Sequence, residues 1–242
     1  MRGYRTDRGT WGHPIVAGCG PKESRKGGSS MEVRFSGTAG VLEGYLHLPE
    51  GNGPFPGVVV CHPHPRMGGD MRNSVVMGIC SSLAKVGISS LRFNFRGVGE
   101  SQGVYDDGRG EVDDALAALG CLASCEAVAE GSIGLAGYSF GAGIAMKAAL
   151  RDDLTRAVSM VARPRVDPED EVGERPSLPM LFVVGGRDRL MPTDLLNELA
   201  AKLTTPPEVH VVPEADHFFG GQELQVGGVV AAFFQRWLTP SL

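Results

Sequence analysis

Gly-Tyr-Ser-Phe-Gly at residues 137–141 is the stretch that decides the fold of this chain. An apolar run at 131–136 precedes it and predicts a buried strand, whereas the small residues at 141–150 follow it and predict a helix. A serine between a strand and a helix lies on a sharp, strained turn, and glycines on both sides avoid a clash between a Cβ atom and the neighbouring backbone. The pattern therefore predicts that Ser139 presents an exposed, nucleophilic hydroxyl group.

A serine hydroxyl is a weak nucleophile and needs a base, oriented by an acid, to activate it. The apolar run at 179–184 ends in Gly-Gly-Arg-Asp, which predicts that Asp188 lies on the loop after a strand. The run at 207–212 leads in the same way into a loop with His217. Parallel strands end at one edge of a sheet, and the chain order serine, acid, histidine is the expected one. We therefore expect Ser139, Asp188 and His217 to form a catalytic triad.

Other assignments of these residues are open. Asp188 is also suited to capping a helix, because aspartate is frequent at that position. Asp216 is a rival acid, but it is the neighbour of His217, and we expect it to fix the loop by local hydrogen bonds. His210 lies within a predicted strand, which leaves His217 as the histidine in the expected loop.

A second cluster, Cys-His-Pro-His-Pro-Arg-Met-Gly-Gly-Asp at residues 61–70, follows the apolar run at 57–60. Attack on a carbonyl group creates an oxyanion that needs two hydrogen-bond donors, one of which is the N–H of the residue after the nucleophile. That donor is Phe140. The two prolines of the cluster carry no N–H, so we expect the second donor to be His64 N–H, with Arg66 as the alternative.

The pair His62-x-His64 also raises the question of a metal site. Cys61 and Asp70 are close in sequence, but no third ligand follows at a standard spacing, so we expect no metal and assign His62 to bracing the loop. The glycine-rich stretch at 96–101 lacks the Lys-Ser/Thr ending of a phosphate-binding loop and predicts a structural turn. No cofactor is implied.

Four motifs in order resemble those of the small α/β-hydrolases without a cap domain, which are dienelactone-hydrolase-like. They are the residues 61–65 with the glycine pair at 68–69, and the stretches 91–101, 105–111 and 137–141. The similarity extends from about residue 31 to the C-terminus. It implies a Ser-Asp-His hydrolase without naming a substrate. Dienelactone hydrolases proper use a cysteine nucleophile, so a serine at this position favours esterase chemistry.

Strands and helices are predicted to alternate from residue 31 onward. This alternation predicts an α/β fold of the α/β-hydrolase type, with a mostly parallel central sheet and helices on both faces. The gap at 163–178 is too short for a helical cap, so we expect an open site rather than interfacial lipase behaviour. The predicted strands are 31–36, 41–48, 58–62, 89–95, 132–138, 157–162, 179–184 and 207–212, and the predicted helices are 73–85, 111–123, 141–150, 193–203 and 224–237.

The chain of 242 residues fits one domain, which we place at residues 31–242. Residues 1–30 hold six basic and two acidic side chains and no apolar periodicity, so we expect a disordered extension, and Met31 is a candidate translation start. The net charge of −5 argues against nucleic acid as a partner. No stretch reaches the ~18 apolar residues of a membrane span.

The cysteines bear on the compartment. Residues 16–19, Val-Ala-Gly-Cys, resemble a bacterial lipobox, but the apolar core of a signal peptide does not precede them. Cys61, Cys80, Cys121 and Cys125 fall in strand or helix patterns and are predicted to be small core residues. A reduced, cytoplasmic protein fits this pattern best.

These observations predict a hydrolase of carboxylic esters, with thioesters as a further option and a small-molecule ester as the partner. Tyr138, Phe218 and Phe219 are candidates for lining the acyl pocket, with a core role as the alternative. A serine peptidase or acyltransferase with the same triad remains open, as does a non-catalytic scaffold on the hydrolase fold. The oligomeric state is not predicted.

Overall fold

The apolar runs of the sequence form strands and the amphipathic segments form helices in the computed structural model, which describes residues 28–164, 177–190, 196 and 206–239. A short 3-10 helix, Pro65–Met67, lies in the loop after the third strand. The strands are β1 Ser29–Gly37, β2 Gly40–Leu48, β3 Phe55–Cys61, β4 Ser89–Phe93, β5 Val128–Tyr138, β6 Thr155–Val161, β7 Met180–Gly185 and β8 Glu208–Val212, and the helices are α1 Ser74–Lys85, α2 Arg109–Ala123, α3 Phe140–Arg151 and α4 Glu223–Leu238.

The described strands form one sheet of eight in the order β1-β2-β4-β3-β5-β6-β7-β8. β1 and β2 are antiparallel to their neighbours, and the strands from β4 to β8 in that order pair in parallel. Helices α2 and α3 pack in one apolar core and α1 and α4 in the other. The predicted α/β fold with helices on both faces is therefore confirmed, and β5 lies near the middle of the sheet.

Several boundaries differ from the prediction. β5 begins at Val128, four residues early, because Val128 pairs with Phe55 ahead of an irregularity in register. Helix α2 begins at Arg109 instead of residue 111, after Gly108 with a φ of 85°. β1 begins at Ser29, two residues before the predicted start of the patterned sequence. The extension up to residue 27, most of the gap at 163–178 and the helix predicted at 193–203 lie outside the described residues.

The loop after β4 is fixed by a buried ion pair. The guanidinium group of Arg96 donates to both carboxylate oxygens of Asp114 on α2, with Nη2 at 2.7 Å from Oδ1 and Nε at 3.0 Å from Oδ2. These hydrogen bonds raise the pKa of Arg96. The glycine-rich stretch at 96–101 is a turn, closed by a hydrogen bond from Ser101 N–H to Val98 O of 3.0 Å. This loop leads to Tyr105, which lies at the candidate site described below.

The four cysteines assigned to the core are all buried. Cys61, Cys80 and Cys121 are free thiols, whereas Cys125 is disulfide-bonded, which departs from the expectation of reduced thiols. Burial raises the pKa of the Cys80 thiol to about 11, so this thiol is not an activated nucleophile. None of the helices within the described ranges is long and apolar enough to cross a membrane.

Candidate active site

Ser139 lies on the turn between β5 and α3. Its φ of 54° and ψ of −119° are strained for a residue with a side chain, and its N–H donates to Val161 O on β6 at 2.8 Å. A Cβ at Gly137 would lie 2.0 Å from Gly141 O, and a Cβ at Gly141 would lie 2.4 Å from His62 O. The two glycines are thus required by close backbone contacts, as the sequence predicts.

The structure brings the three predicted triad residues together. Ser139 Oγ lies 2.9 Å from His217 Nε2, and His217 Nδ1 lies 2.9 Å from Asp188 Oδ2. Asp188 and His217 are buried. Because a carboxylate only accepts hydrogen bonds, the proton of a neutral His217 resides on Nδ1, and Nε2 accepts from the serine hydroxyl. A continuous relay therefore runs from the nucleophile to a buried carboxylate.

Asp188, through its second carboxylate oxygen, and Asp216 each accept a hydrogen bond from a backbone N–H of their own loop. Asp188 Oδ1 accepts from Leu190 N–H at 2.8 Å, which fixes the carboxylate with its other oxygen toward the histidine. Asp216 Oδ1 accepts from Phe218 N–H at 2.9 Å, the local hydrogen bond expected of it. The geometry thus favours Asp188 over Asp216 as the acid.

The loop with Asp188 and the loop with His217 are joined through their backbones. Gly186 N–H donates to Val212 O and Arg187 N–H donates to Ala215 O, each at 2.8 Å. The approach is so close that a Cβ at Gly185 would lie 2.4 Å from Ala215 O. These contacts set the distance between acid and base independently of their side chains.

The three aromatic candidates for the pocket lie in different environments. Phe219 is fully buried and belongs to the core between the sheet and helices α1 and α4. Tyr138 is also buried, and its hydroxyl donates to His217 O at 3.0 Å. Phe218 is 70% exposed, and its ring lies edge-on to the His217 ring at 5.6 Å. Tyr138 and Phe219 are therefore packing residues, and of the three only Phe218 faces solvent.

The two residues predicted to donate to the oxyanion, Phe140 and His64, contact each other through their side chains. Phe140 is the first residue of α3, where backbone N–H groups have no partner within the helix. The centroids of the Phe140 and His64 rings lie 4.9 Å apart, so the two rings are in contact. Arg66 N–H, the alternative donor, instead donates to His64 Nδ1 at 3.1 Å. Since that group is engaged, His64 N–H is the better candidate.

His62 is bound to the protein through both ring nitrogens. Its Nδ1 donates to Pro63 O at 2.7 Å, and its Nε2 accepts from Phe95 N–H at 3.1 Å. Burial lowers the pKa of His62 to about 4, so the ring is neutral at pH 7. The ring thus holds the loop of residues 61–70 against the end of β4, and both nitrogens are occupied by partners other than a metal.

Tyr105 is a site residue that the sequence analysis did not assign. Its hydroxyl lies 3.2 Å from His64 Nε2, its ring packs against those of His64 and Phe140, and the guanidinium group of Arg66 lies 5.3 Å above it. The motif at 105–111 indicates that this loop matters, but it does not show which side chain faces the loop of residues 61–70, which is called the oxyanion loop below.

Comparisons with known proteins identify the family of this chain. The model of the dienelactone hydrolase family matches residues 100–239, and the model described as esterase FrsA-like matches residues 23–167. An uncharacterized protein of Rickettsia prowazekii is 34% identical over 197 residues, which span 78% of this chain and 82% of that protein.

Two solved structures are also similar. An alpha-beta serine hydrolase homologue from Coxiella burnetii has 33% identity and a TM-score of 0.76, over 84% of this chain and 96% of that one. A serine hydrolase without a lid from Xanthomonas campestris has 28% identity and a TM-score of 0.78, over 90% of this chain and 98% of that one. The predicted resemblance is thus confirmed, and the chain belongs to the dienelactone hydrolase family of α/β-hydrolases.

Proposed function

We propose that this protein is a serine hydrolase that cleaves carboxylic esters through an acyl-enzyme on Ser139. The observation that carries the proposal is the relay from Ser139 Oγ through His217 to Asp188, with both distances at 2.9 Å. The relay starts at a serine on a strained turn, as expected for a nucleophile that must project from its sheet. Membership in a family of hydrolases and a match to an esterase model support it.

In the first half of the reaction, His217 Nε2 takes the hydroxyl proton while Ser139 Oγ attacks the acyl carbon. The carbonyl oxygen becomes an oxyanion, which accepts from Phe140 N–H and His64 N–H. Asp188 keeps the proton of the neutral imidazole on Nδ1 and stabilises the imidazolium. The imidazolium then gives its new proton to the leaving alcohol, and the acyl group stays on the serine.

In the second half, His217 takes a proton from water, and the resulting hydroxide attacks the acyl carbon through the same oxyanion. Ser139 leaves with the proton and the acid is released. The loss of one oxyanion donor typically costs on the order of 10²–10³ in rate. A thioester would react by the same steps with a thiol as the leaving group, so thioesters belong to this proposal.

The test is labelling by a fluorophosphonate, combined with hydrolysis of p-nitrophenyl acetate, for the wild type and the variants Ser139→Ala and His217→Gln. We expect label on Ser139 in the wild type, no label in the first variant and strongly reduced label in the second, with all three proteins folded. A folded wild-type protein that takes no label and turns over no ester would contradict the proposal and favour the scaffold alternative. Faster turnover of an amide than of the matched ester would favour a peptidase.

A further inference from the structure

The most exposed apolar side chains of the described residues are concentrated at one edge of the sheet. Among the large apolar side chains in these ranges, the five with the highest exposed fractions are Met67, Val104, Phe218, Leu224 and Leu190, at 84, 77, 70, 60 and 55%. All five follow the carboxyl end of a parallel strand, either on the next loop or, for Leu224, in the first turn of α4. We call these five residues the apolar rim.

The apolar rim flanks the serine on both sides. In the sheet, β3 and β4 lie on one side of β5, and β7 and β8 lie on the other. Met67 and Val104 follow β3 and β4, whereas Leu190 and Phe218 follow β7 and β8. Because Ser139 directly follows β5, apolar side chains stand to its left and to its right along the edge of the sheet.

Hydrogen bonds tie the first side of the rim to the oxyanion loop. Met67 N–H donates to His64 O at 3.0 Å. Val104 precedes Tyr105, whose hydroxyl lies 3.2 Å from His64 Nε2. The buried ion pair of Arg96 and Asp114 fixes the start of the loop after β4, which carries Val104 and Tyr105. Met67 and Val104 are therefore held next to the predicted oxyanion donors even though their side chains are in solvent.

The other side of the rim is tied to the acid and the base. Leu190 N–H donates to Asp188 Oδ1 at 2.8 Å, and the Phe218 ring contacts the ring of His217. Four loops that carry exposed apolar side chains thus follow the strands on either side of Ser139. Scattered exposed apolar residues need no explanation, but a group around a functional site is typical of a binding surface.

We propose that the apolar rim binds the hydrocarbon parts of the substrate on both sides of the scissile bond, so that the substrates are esters of apolar acids with apolar alcohols. This inference rests on the proposed function of Ser139. The size of the rim fits a small ligand: five side chains expose on the order of a few hundred Å², whereas a stable protein partner needs about 800 Å² on each side. Hydrocarbon gains free energy by leaving water on such a surface.

The experiment compares kcat/KM along two series of soluble esters. The acyl series runs from p-nitrophenyl acetate to the octanoate, and the alcohol series runs from methyl acetate to hexyl acetate. A half-buried CH₂ group raises kcat/KM about twofold and a fully buried one about fourfold. We therefore expect kcat/KM to rise by at least about tenfold in each series, because the rim lies on both sides of the serine.

Two double variants separate the sides: Met67→Ser with Val104→Ser, and Leu190→Ser with Phe218→Ser. Each double variant should reduce the rise of kcat/KM with chain length in one of the two series. The measure is the ratio of kcat/KM for the long-chain ester to that for the short-chain ester, because a change at the triad affects both values equally. Leu154→Ser is the matched control, because Leu154 is also exposed but directly precedes β6, at the opposite edge of the sheet.

The outcomes distinguish the rim from the proposed function. If the wild type hydrolyses acetate esters but neither series rises, or if both double variants keep the wild-type ratios, the rim proposal is overturned and the esterase assignment stands. If no ester is hydrolysed and Ser139 takes no label, the function itself fails. If sedimentation shows a wild-type dimer that the first double variant dissociates, the rim is an interface between copies and the proposal is likewise overturned.

Discussion

The hydroxyl of Tyr138 donates a hydrogen bond of 3.0 Å to the main-chain carbonyl of His217. Tyr138 directly precedes Ser139, so this bond ties the end of the nucleophile strand to the loop of the base. Burial, with the charges of Asp188 and Asp216, raises the pKa of Tyr138 to about 12. The hydroxyl is therefore a permanent donor at any pH at which the enzyme would work, and it holds His217 by the backbone while the ring remains free to react.

Tyr138→Phe should lower kcat for p-nitrophenyl acetate by about fivefold, since one lost hydrogen bond of about 1 kcal/mol loosens the base relative to the serine. KM should change less than twofold, because Tyr138 is buried and its hydroxyl is bonded to the protein backbone. Tyr45→Phe is the matched control. This substitution also removes a hydrogen bond from a tyrosine hydroxyl, in this case to Glu32, but the bond joins β2 to β1 and not the loops of the candidate site. Equal kcat values for the two variants would contradict the positioning role.

Asp188→Asn and Asp216→Asn should separate the acid from its neighbour. An asparagine at 188 no longer favours the imidazolium of His217 and can hold the ring in the wrong tautomer, which lowers kcat by about 10⁴ in another triad. Among the described residues, the hydrogen bond of Asp216 is the one it accepts from Phe218 N–H, and an asparagine oxygen can also accept it. The variant should therefore stay within about tenfold of the wild type. A larger loss at 216 than at 188 in steady-state kinetics would reverse the assignment.

The predictable part of the site is the part set by backbone geometry. Gly137 and Gly141 are required by contacts of a Cβ with nearby backbone atoms, so they mark the turn in the sequence itself. Asp188 and His217 are predicted from the sequence because each lies just past a strand, and parallel strands end at one edge of a sheet.

What could not be predicted depends on which way a side chain points. Tyr138 and Phe219 flank the reacting residues in sequence, yet both turn into the core. The partner of Tyr105 is His64, 41 positions away, and no local pattern connects two loops from different strands. The start of β5 at Val128 follows from pairing with Phe55 across an irregular register, which periodicity does not report.

Gly141→Ala should damage both stability and catalysis. The added Cβ would lie 2.4 Å from His62 O and 2.5 Å from Cys61 O, so the oxyanion loop or the start of α3 must shift. Overpacking of this kind typically costs about 1–3 kcal/mol of unfolding free energy, and a displaced donor should lower kcat by about 10²–10³.

Gly143→Ala is the control for this substitution on the same helix. At Gly143 the nearest atom to an added Cβ is Arg163 Nε at 4.0 Å, so the alanine fits and should stabilise the helix by up to about 1 kcal/mol. Urea unfolding and ester kinetics on both variants check the pair. A Gly141→Ala variant with wild-type kcat would show that the oxyanion loop does not depend on this contact.

His62 should make the stability of the protein fall in mild acid. Its pKa is about 4 in the folded protein, and burial is the main cause of this decrease from the ordinary value of 6.5. Between pH 6.5 and about pH 4, His62 therefore binds a proton in the unfolded chain but stays neutral in the folded protein. The stabilisation by this histidine is complete above pH 6.5, declines by about 1.4 kcal/mol for each pH unit below it, and is exhausted near pH 4.

The physical reason is that a protonated ring cannot accept from Phe95 N–H, so acid breaks the bond between the oxyanion loop and the end of β4. Urea unfolding at pH 7, 6, 5 and 4.5 measures this decline in the wild type and in His62→Gln. The variant should be less stable at pH 7, since the glutamine replaces the ring imperfectly. Its free energy of unfolding should also fall less steeply with acid. Averaged from pH 7 to pH 4.5, the decline per pH unit should be about 1 kcal/mol smaller in the variant than in the wild type. Parallel profiles in the two proteins would mean that His62 binds a proton equally well in the folded and the unfolded protein, which would contradict the predicted loss of its hydrogen bond to Phe95 N–H in acid.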